Sequence, residues 1–471
     1  MIGLVLESST SSAKAMLYDT GTGRVAVRTA PLRFESGDAA AQNARSVFAQ
    51  TAALGKALCE NEKVAVVSLS GTWHSVMLCD HDKQPVTPVY QWPYTGASQL
   101  CAELRRDGAL VDWFYRRTGC MVSAIYPAFK LMLLARQGFN LQEHAVMGQG
   151  TYNFFRLTGE HAVTAGMASG SGLLNTFARD YDDDVLRFIG VGRGSLPRLV
   201  RFDETLPLSA EGAAALGLPA GVPVVPPGPD GGLNQLGAGA CAPGVMTFSV
   251  GTSGALRLSA DHPALADDRS LWCYVSPVSW LVGAATSGCC NCVDWAKQRF
   301  FGDAVSYSDI EAGFHNGPKD TPVFLPFLFG ERCPGWNDRR AAAFSGVAAS
   351  HTVHDLYHSV LEGTLFNLYQ CYQSLCAVCG PPREIRLSGG ILGSAYWTQM
   401  AADIFNMPMA CADMPHASLT GAAMLGLAAL GLGNTLFGSG EQRIVRPRAG
   451  FARQYADKFT RYLSAYKSGA E

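Results

Sequence analysis

The stretch Gly3-Leu-Val-Leu-Glu7-Ser-Ser-Thr10-Ser-Ser-Ala-Lys14-Ala-Met-Leu-Tyr18 places a short turn of small hydroxyl residues between two apolar runs. The chain repeats this pattern later, where Met246-Thr-Phe-Ser-Val250 is followed by Gly251-Thr-Ser-Gly254 and then by Ala255-Leu-Arg-Leu258. Each copy predicts two β-strands joined by a tight turn. A pattern that recurs at the start of each half indicates two similarly built units.

Outward from these copies, short β-rich runs alternate with helical patterns, which is typical of an α/β fold. The predicted helices cover residues 41–60, 98–118, 127–137 and 394–404. The length of 471 residues suits two or three domains. A Pro/Gly-rich stretch, Gly221–Gly232, precedes the second copy, so we place a boundary near Ala240. We therefore expect domains of residues 1–240 and 241–471, with a ligand-binding cleft between them.

Composition favours a small-molecule ligand. The formal net charge is -2 and no run of Lys or Arg stands out, so nucleic acid and anionic membranes are not expected as main partners. The apolar run Ile2–Leu6 is too short for a signal peptide and no basic residue precedes it. Leu419–Leu432 is too short to span a bilayer and suits an internal helix. These features predict a cytoplasmic protein, and a homodimer is compatible with them.

Two turns could bind phosphate. Successive backbone N–H groups and hydroxyls in a tight turn can surround phosphate oxygens. The candidates are Thr10 and Ser11 in the first copy and Gly251 and Thr252 in the second. The alternative is that each turn only closes a hairpin.

Asp230 is the candidate catalytic base. It follows the apolar run Val222–Val225 in the sequence Gly228-Pro-Asp230-Gly-Gly232, and ligands of open α/β folds bind at the carboxyl ends of strands. Phosphoryl transfer to an alcohol needs a carboxylate that accepts the hydroxyl proton and helps to organise Mg²⁺. An ordinary Asp-Gly turn is the alternative. Gly389 and Gly390, which follow the predicted strand from Glu384, would let a flat ligand approach the backbone.

Histidines and cysteines offer weaker candidates. His351, His354 and His358 share one face of a predicted helix that Ser350 would cap, where an exposed polar face is more common than a metal site. His74 and Trp92 are each either core residues or sugar contacts. The 14 cysteines are expected to be free thiols. We interpret the C-x-x-C pairs at Cys289/Cys292 and Cys376/Cys379 as small buried hydrophobic residues, with a zinc site as the alternative.

Together these segments resemble the FGGY carbohydrate kinases, over nearly the whole chain. The resemblance is carried by a series of motifs in family order: Thr10-Ser11 with Lys14, Trp73-His74-Ser75, Asp230-Gly231, Gly251-Thr-Ser-Gly254, Gly330-Glu331-Arg332-Cys-Pro334, Glu362-Gly363, Ser388-Gly-Gly390 with Ser394, Trp397, Gln399 and Asp403, and Gly421-Ala-Ala423. Tyr115-Arg-Arg-Thr118-Gly119 and Pro127 with Lys130 resemble the gluconokinase branch, and xylulokinases share several of these features.

The resemblance implies two actin-like (ribonuclease H-like) ATPase domains and an ATP- and Mg²⁺-dependent sugar kinase. It implies ATP binding by Thr10, Ser11, Gly251, Thr252, Gly389 and Gly390, substrate binding by His74, Ser75, Trp92 and Asp230, and metal contacts by Glu7 and Asp230. The acceptor would be a hydroxyl of a small sugar, polyol or sugar acid that resembles gluconate or xylulose.

Four positions depart from the family pattern. Glu7 replaces an aspartate, Ser9 replaces a glycine, and Trp92-Pro-Tyr94-Thr-Gly96 lacks both charges of the family's Trp-x-Asp-x-Arg. The loss of charged contacts predicts a change of substrate. Two rival hypotheses follow: a non-catalytic relative that binds sugar or nucleotide, and an actin-like ATPase without sugar transfer.

Overall fold

The structure is a computed structural model and describes residues 1–34, 38–277, 279–314, 317, 319–411, 416–433 and 442–469. Within these ranges the chain forms two units. The first comprises residues 1–241, 273–281 and 416–433, and the second comprises residues 242–272, 282–411 and 442–469.

The strands are β1 (Ile2–Ser8), β2 (Ser12–Asp19), β3 (Val25–Pro31), β4 (Ala41–Gln42), β5 (Val64–Gly71), β6 (Met77–Cys79), β7 (Val89–Tyr90), β8 (Ala145–Met147), β9 (Ala162–Thr164), β10 (Leu174–Asn175), β11 (Asp180–Tyr181), β12 (Arg198–Val200), β13 (Leu206–Pro207), β14 (Pro223–Pro229), β15 (Val245–Val250), β16 (Gly254–Ala260), β17 (Trp272–Val275), β18 (Trp280–Thr286), β19 (Val323–Leu325), β20 (Ala343–Ser345), β21 (Glu384–Ser388), β22 (Met409–Cys411) and β23 (Arg443–Val445). The helices are α1 (Ala44–Leu58), α2 (Ser98–Leu104), α3 (Gly108–Thr118), α4 (Pro127–Arg136), α5 (Gln149–Thr158), α6 (Ala165–Ser169), α7 (Asp183–Ile189), α8 (Ala210–Leu216), α9 (Asp230–Gly237), α10 (Cys290–Phe300), α11 (Tyr307–Glu311), α12 (Val353–Cys379), α13 (Ala395–Phe405), α14 (Ala417–Ala429) and α15 (Phe451–Ser468), with 3₁₀ turns at Arg193–Ser195 and Gly390–Gly393.

The two large sheets share a four-strand core, β14-β5-β1-β2 in the first and β22-β21-β15-β16 in the second, and differ at their edges. The first sheet runs β13-β14-β5-β1-β2-β3, and the second runs β17-β18-β16-β15-β21-β22-β23. In each, the strand that precedes the hydroxyl turn pairs antiparallel with the strand that follows it and parallel with a strand from later in the chain. The α/β fold with two similarly built halves is therefore confirmed.

Helices cover both faces of the first sheet, which explains the unbroken apolar run of β1. Leu4 and Leu6 belong to a core cluster that includes Phe48 of α1, whereas Val5 belongs to a cluster that includes Leu419 of α14. Alternate side chains of a strand point to opposite faces, so each helix covers one of them.

The Gly/Ala-rich helix predicted near residue 419 is α14, and it packs closely on α9. A Cβ on Gly421 would lie 2.1 Å from the carbonyl oxygen of Leu233, and a Cβ on Gly237 would lie 1.9 Å from that of Ala417. Glycine at both positions is required because the two helix backbones are nearly in contact. Among the described residues, the helices include none that combines the length and apolar character needed to cross a bilayer.

Two details of the predicted helices are wrong. The single helix predicted at 98–118 is divided into α2 and α3, because the Asp107 carboxylate accepts the N–H groups of Ala109 and Leu110 and so starts a new helix. The residue that caps α12 is Thr352 and not Ser350, because Thr352 and Asp355 form a reciprocal capping box.

Candidate active site

Three strand ends of the first unit meet at one edge of its sheet. β1, β5 and β14 are parallel neighbours, and their register aligns Ser8 with Gly71 and Gly71 with Pro229. The first hydroxyl turn, the segment that contains His74, and Asp230 each leave the sheet directly beyond this line. Sequence positions far apart are thus brought to one carboxyl edge, where open α/β sheets bind ligands.

Asp230 is the first residue of α9 and directly follows the strand β14, so it begins a helix and not an ordinary Asp-Gly turn. Its Oδ1 accepts the N–H of Gly231 at 2.8 Å and that of Trp73 at 3.3 Å. A helix N-terminus favours a negative charge, so the position stabilises an ionised carboxylate. The bond from Trp73 also fixes this carboxylate beside the segment that contains His74.

The first turn offers two backbone donors. Within the described chain, the N–H groups of Thr10 and Ser11 make no hydrogen bond, whereas the turn is held from its other side. Ser9 Oγ donates to the Ser12 carbonyl at 2.8 Å and accepts the Ser12 N–H at 3.0 Å. The Thr10 carbonyl accepts Gln42 Nε2 at 2.7 Å. Adjacent uncommitted amides in a braced turn form an anion-binding concavity.

The residues predicted to bind ATP and sugar are in direct contact in this unit. Trp92 Nε1 donates to Thr10 Oγ1 at 3.0 Å. Trp92 is therefore oriented by the phosphate turn itself, which places the sugar-facing and phosphate-facing groups side by side.

Glu7 is buried and its two carboxylate oxygens are both bonded within the chain. Oε1 lies 2.6 Å from Lys14 Nζ, and Oε2 accepts the hydroxyl of Ser70 at 2.9 Å. Mg²⁺ keeps several waters and takes one or two carboxylates together with substrate phosphates. A metal bound directly to Glu7 would share the carboxylate with the Lys14 ammonium, so the environment fits a water-mediated contact better. Among the described residues there is no group of three or more His, Cys, Asp and Glu suited to a metal.

His74 is fixed in one orientation. Its φ is 66°, its Nδ1 lies 2.6 Å from the Gly170 carbonyl, and its ring packs against Trp73, Tyr126 and Tyr274. A carbonyl only accepts, so Nδ1 carries the proton and Nε2 of the neutral ring is the acceptor nitrogen. Such a nitrogen suits a sugar hydroxyl.

Ser75 is buried, and its hydroxyl is bonded on both sides. It donates to the Thr72 carbonyl at 3.3 Å and accepts the N–H of Gln149 at 3.1 Å. These bonds hold the strand end that carries His74, so Ser75 supports the neighbouring site whether or not it meets the substrate.

Sequence reasoning missed two supports of this site. Lys130 is buried, and its Nζ donates to the His74 carbonyl at 2.8 Å and to the Gln91 carbonyl at 2.7 Å. Burial lowers the pKa of Lys130 well below its ordinary value. Tyr274, whose hydroxyl bonds that of Tyr126 at 2.8 Å, comes from a distant part of the chain, so only the folded structure reveals it. A lysine inside the apolar pattern of α4 was the one available signal.

The second turn is held by the start of α10. The Cys290 N–H donates to the Gly251 carbonyl at 2.9 Å, and the Asn291 N–H to the Thr252 carbonyl at 3.4 Å. In the described chain, the N–H groups of Thr252 and Ser253 make no hydrogen bond. This turn therefore also presents two adjacent amides.

Gly389 and Gly390 lie beside the second turn. Gly389 has φ 99°, and a Cβ there would lie 2.5 Å from the Val250 carbonyl oxygen. A Cβ on Gly390 would lie 3.0 Å from Cys290 Sγ. The four residues predicted to bind ATP in the second half are thus brought together, and glycine is needed for their close approach.

Several family-like segments have structural contacts instead. Glu331 is buried against Arg340 at 2.8 Å and Tyr466 at 2.6 Å. The Asp403 carboxylate pairs with Arg448 at 2.6 Å. These pairs bind the C-terminal segments to the second unit.

The histidine face predicted on α12 is not a solvated stripe. His358 is buried and its Nε2 lies 2.7 Å from the Tyr396 hydroxyl, and burial lowers the pKa of His358. His351 precedes the helix, and its Nδ1 accepts the Ala348 N–H. The helix start at Val353 leaves His351 outside the helix, whereas His358 is buried because it packs against Tyr396. All 14 cysteines are free thiols.

Two amide-rich turns at strand ends, with a carboxylate at the edge of the first sheet, fit a phosphotransferase that acts on an alcohol. Family models identify it further: the N-terminal domain of the FGGY family of carbohydrate kinases matches residues 2–237, and the C-terminal domain of that family matches residues 246–430. The chain belongs to the FGGY family of carbohydrate kinases, as the sequence motifs predicted.

Individual relatives agree with the family. The chain is 28% identical over 455 residues to the gluconokinase of Bacillus subtilis (strain 168), covering 91% of this chain and 87% of that protein. It is 29% identical over 350 residues to the xylulose kinase of Escherichia coli (strain K12), covering 73% and 71%. The gluconate kinase structure from Lactobacillus acidophilus matches with a TM-score of 0.93, 25% identity and coverage of 100% of this chain and 99% of that one. The predicted fold class and the carbohydrate kinase class are confirmed.

Proposed function

We propose that the chain transfers a phosphoryl group from ATP to a hydroxyl of a gluconate-like sugar acid or a xylulose-like ketose, with Asp230 as the general base. The observation that carries this proposal is the shared register of β1, β5 and β14, which aligns the first phosphate turn, His74 and Asp230 at one sheet edge. Similarity to proteins named gluconokinase and xylulose kinase supports the two acceptor classes.

In this proposal each group has a defined task. The amides of Thr10, Ser11, Thr252 and Ser253 bind phosphate oxygens, and Gly389 and Gly390 lie against the nucleotide. His74 Nε2 and Trp92 orient the acceptor, with Ser75 at the same strand end. Asp230 accepts the proton of the attacking hydroxyl as its oxygen bonds the γ-phosphorus and the bond from that phosphorus to ADP breaks, so no positive charge remains on the new ester oxygen.

Magnesium belongs to the same proposal. Asp230 would hold the ion together with phosphate oxygens, and Glu7 would contact it through water. When bound, Mg²⁺ neutralises charge that develops on the transferred phosphoryl group.

The test is ADP release measured against a panel of aldonates, pentuloses, hexuloses and polyols. We expect stimulation by one acceptor class, and Asp230→Asn should lower kcat by about 10²–10⁴-fold because proton acceptance is lost. The Kd for ATP measured without Mg²⁺ should remain nearly unchanged. Asp82→Asn, at an exposed aspartate, controls for loss of one carboxylate.

Two outcomes would contradict the proposal. Near-normal turnover by Asp230→Asn would remove Asp230 as the base. ATP binding without acceptor-dependent ADP release would favour the non-catalytic relative, and sugar-independent ATPase activity would favour the actin-like ATPase.

A further inference from the structure

A second pocket, of about 460 Å³, lies in the first unit beside Gly228, two residues before Asp230. Its lining includes none of the residues predicted to bind ATP or sugar. The wall combines apolar side chains, such as Phe202 and Leu425, with the polar residues Arg179, Arg201, Glu204 and Ser276. A concave site with few placed polar groups has the general character of a small-molecule site.

Arg179 distinguishes this pocket from an ordinary surface groove. Within the described residues, its guanidinium pairs with no carboxylate. The other two charged lining residues are paired, Arg201 with Asp203 and Glu204 with Arg198. Arg179 therefore supplies the pocket with a positive charge that no carboxylate of the described residues neutralises.

The guanidinium of Arg179 is held in place by stacking. Its central carbon lies 3.8 Å from the centroid of the Trp280 ring, and Trp280 Nε1 donates to the Thr176 carbonyl at 2.8 Å. A stacked guanidinium keeps its planar fork of N–H donors for a ligand. Because the side chain is already positioned, less conformational entropy is lost when an anion binds.

The backbone below Arg179 is equally fixed. Arg179 has φ 57°, and its N–H donates to the Asn175 carbonyl at 2.8 Å. The Asn175 side chain accepts the N–H groups of Phe177 and Ala178, each at 3.0 Å. Because the hydrogen bonds of the turn hold the Arg179 backbone in the left-handed region, the direction in which the side chain leaves the backbone is fixed.

We propose that this pocket binds a phosphorylated sugar, with its phosphate on Arg179. Arginine binds phosphate oxygens through two parallel N–H donors. The Glu204 carboxylate and the Ser276 hydroxyl would hydrogen-bond sugar hydroxyls. Phe202 and Leu425 would pack against the apolar face of the sugar. The occupant is of the class that the proposed reaction produces, but binding to this pocket does not require that reaction.

Occupancy of the pocket should affect catalysis through Gly228. This glycine lines the pocket and packs so closely on α9 that an added Cβ would lie 2.7 Å from Leu233 Cδ2. Asp230 is the first residue of the same helix. A ligand that shifts Gly228 therefore shifts the general base, which makes the pocket an effector site.

The experiment is isothermal titration calorimetry on the full chain without nucleotide. The ligands are glucose 6-phosphate, glucose, inorganic phosphate and gluconate, titrated into wild type, Arg179→Gln, Arg179→Lys and Arg28→Gln. Arg28 is the matched control, since it is exposed and its guanidinium donates to the Ala57 carbonyl. Thermal unfolding of each variant verifies folding.

We expect glucose 6-phosphate to bind more tightly than inorganic phosphate, and glucose to bind weakly. Arg179→Gln should weaken the affinity for glucose 6-phosphate by about tenfold or more. Arg179→Lys should weaken this affinity less, and Arg28→Gln should leave it unchanged. Glucose 6-phosphate should also alter kcat in wild type and not in Arg179→Gln.

Equal affinity of wild type and folded Arg179→Gln for glucose 6-phosphate would overturn the proposal, because binding would then lie elsewhere. Gluconate binding that matches the sugar phosphate and is lost in Arg179→Gln would overturn the assignment of phosphate. A calorimetric result of either kind is independent of turnover, so it does not depend on Asp230 being the base.

Discussion

The two turns that we propose to bind phosphate are held in different ways. The first, Ser9–Ser11, is braced by side chains, through Ser9 Oγ on Ser12 and Gln42 on the Thr10 carbonyl. The second, Gly251–Ser253, is held by backbone N–H groups at the start of α10 and by the close approach of Gly389. Both leave two adjacent amides uncommitted within the described chain.

This difference explains why the first turn tolerates Ser9 where the family has glycine. Ser9 is not among the described non-glycine residues with a positive φ, so its backbone does not require glycine, and its hydroxyl bonds the turn backbone. The second turn packs against Gly389, where an added Cβ would lie 2.5 Å from the Val250 carbonyl oxygen, whereas the Cβ position of Gly251 within the turn is open. Substitution at Gly389 should therefore have a severe effect and substitution at Ser9 a mild one.

The largest effect is expected at Gly389, where Gly389→Ala would break the second turn. The new Cβ would lie 2.5 Å from the Val250 carbonyl oxygen, and φ 99° is unfavourable for alanine. We expect a stability loss of about 1–3 kcal/mol and a rise in the Kd for ATP of about tenfold or more. Chemical denaturation and calorimetry measure the two effects.

The matched control for this substitution is Gly393→Ala. No heavy atom lies within 4 Å of the Cβ that it would add, so stability and ATP affinity should be nearly unchanged. If Gly389→Ala bound ATP as tightly as this control, the tight packing of the second turn would have no role in nucleotide binding.

A smaller effect is expected at Lys130, which tests how the first turn is coupled to the sugar-facing residues. Trp92 bonds Thr10, and Lys130 holds the carbonyls of Gln91 and His74. Lys130→Met leaves two buried carbonyls without their donor, which should cost about 1–3 kcal/mol. Steady-state kinetics should show a raised KM for the acceptor and a smaller change in kcat.

The same substitution has a pH signature. The pKa of Lys130 is lowered in the folded chain, so between that value and the ordinary 10.5 the unfolded chain binds a proton that the folded chain does not. Wild-type stability relative to Lys130→Met should therefore rise with pH in this window, by about 1.4 kcal/mol per pH unit. Lys63→Met, at an exposed lysine, controls for the substitution itself. A difference that does not change with pH in this window would show that the buried amine remains charged.

The fold and the reacting groups were accessible from sequence because they rest on local patterns. The repeated strand-turn-strand motif predicted both sheets, and Asp230 stood at a predicted strand end. The sequence could not predict the partner of each side chain. It did not predict that Lys14 and Ser70 bond the Glu7 carboxylate, that the Ser75 hydroxyl is bonded on both sides, or that His358 is buried. Such contacts join residues distant in sequence, so no periodicity or spacing records them.

The smallest effect is expected in the first turn, where Ser9→Ala removes the brace. Ser9 Oγ bonds the Ser12 N–H, carbonyl and hydroxyl, and a typical hydrogen bond contributes about 1 kcal/mol, so a loss of about 1 kcal/mol is expected. A double-mutant cycle with Ser12→Ala isolates the hydroxyl pair. In the second turn, the Ser253 hydroxyl makes no hydrogen bond within the described chain, so Ser253→Ala should leave the free energy of unfolding unchanged. Equal losses in both turns would mean that side chains brace them alike, and the distinction between a side-chain brace and a backbone brace would fail.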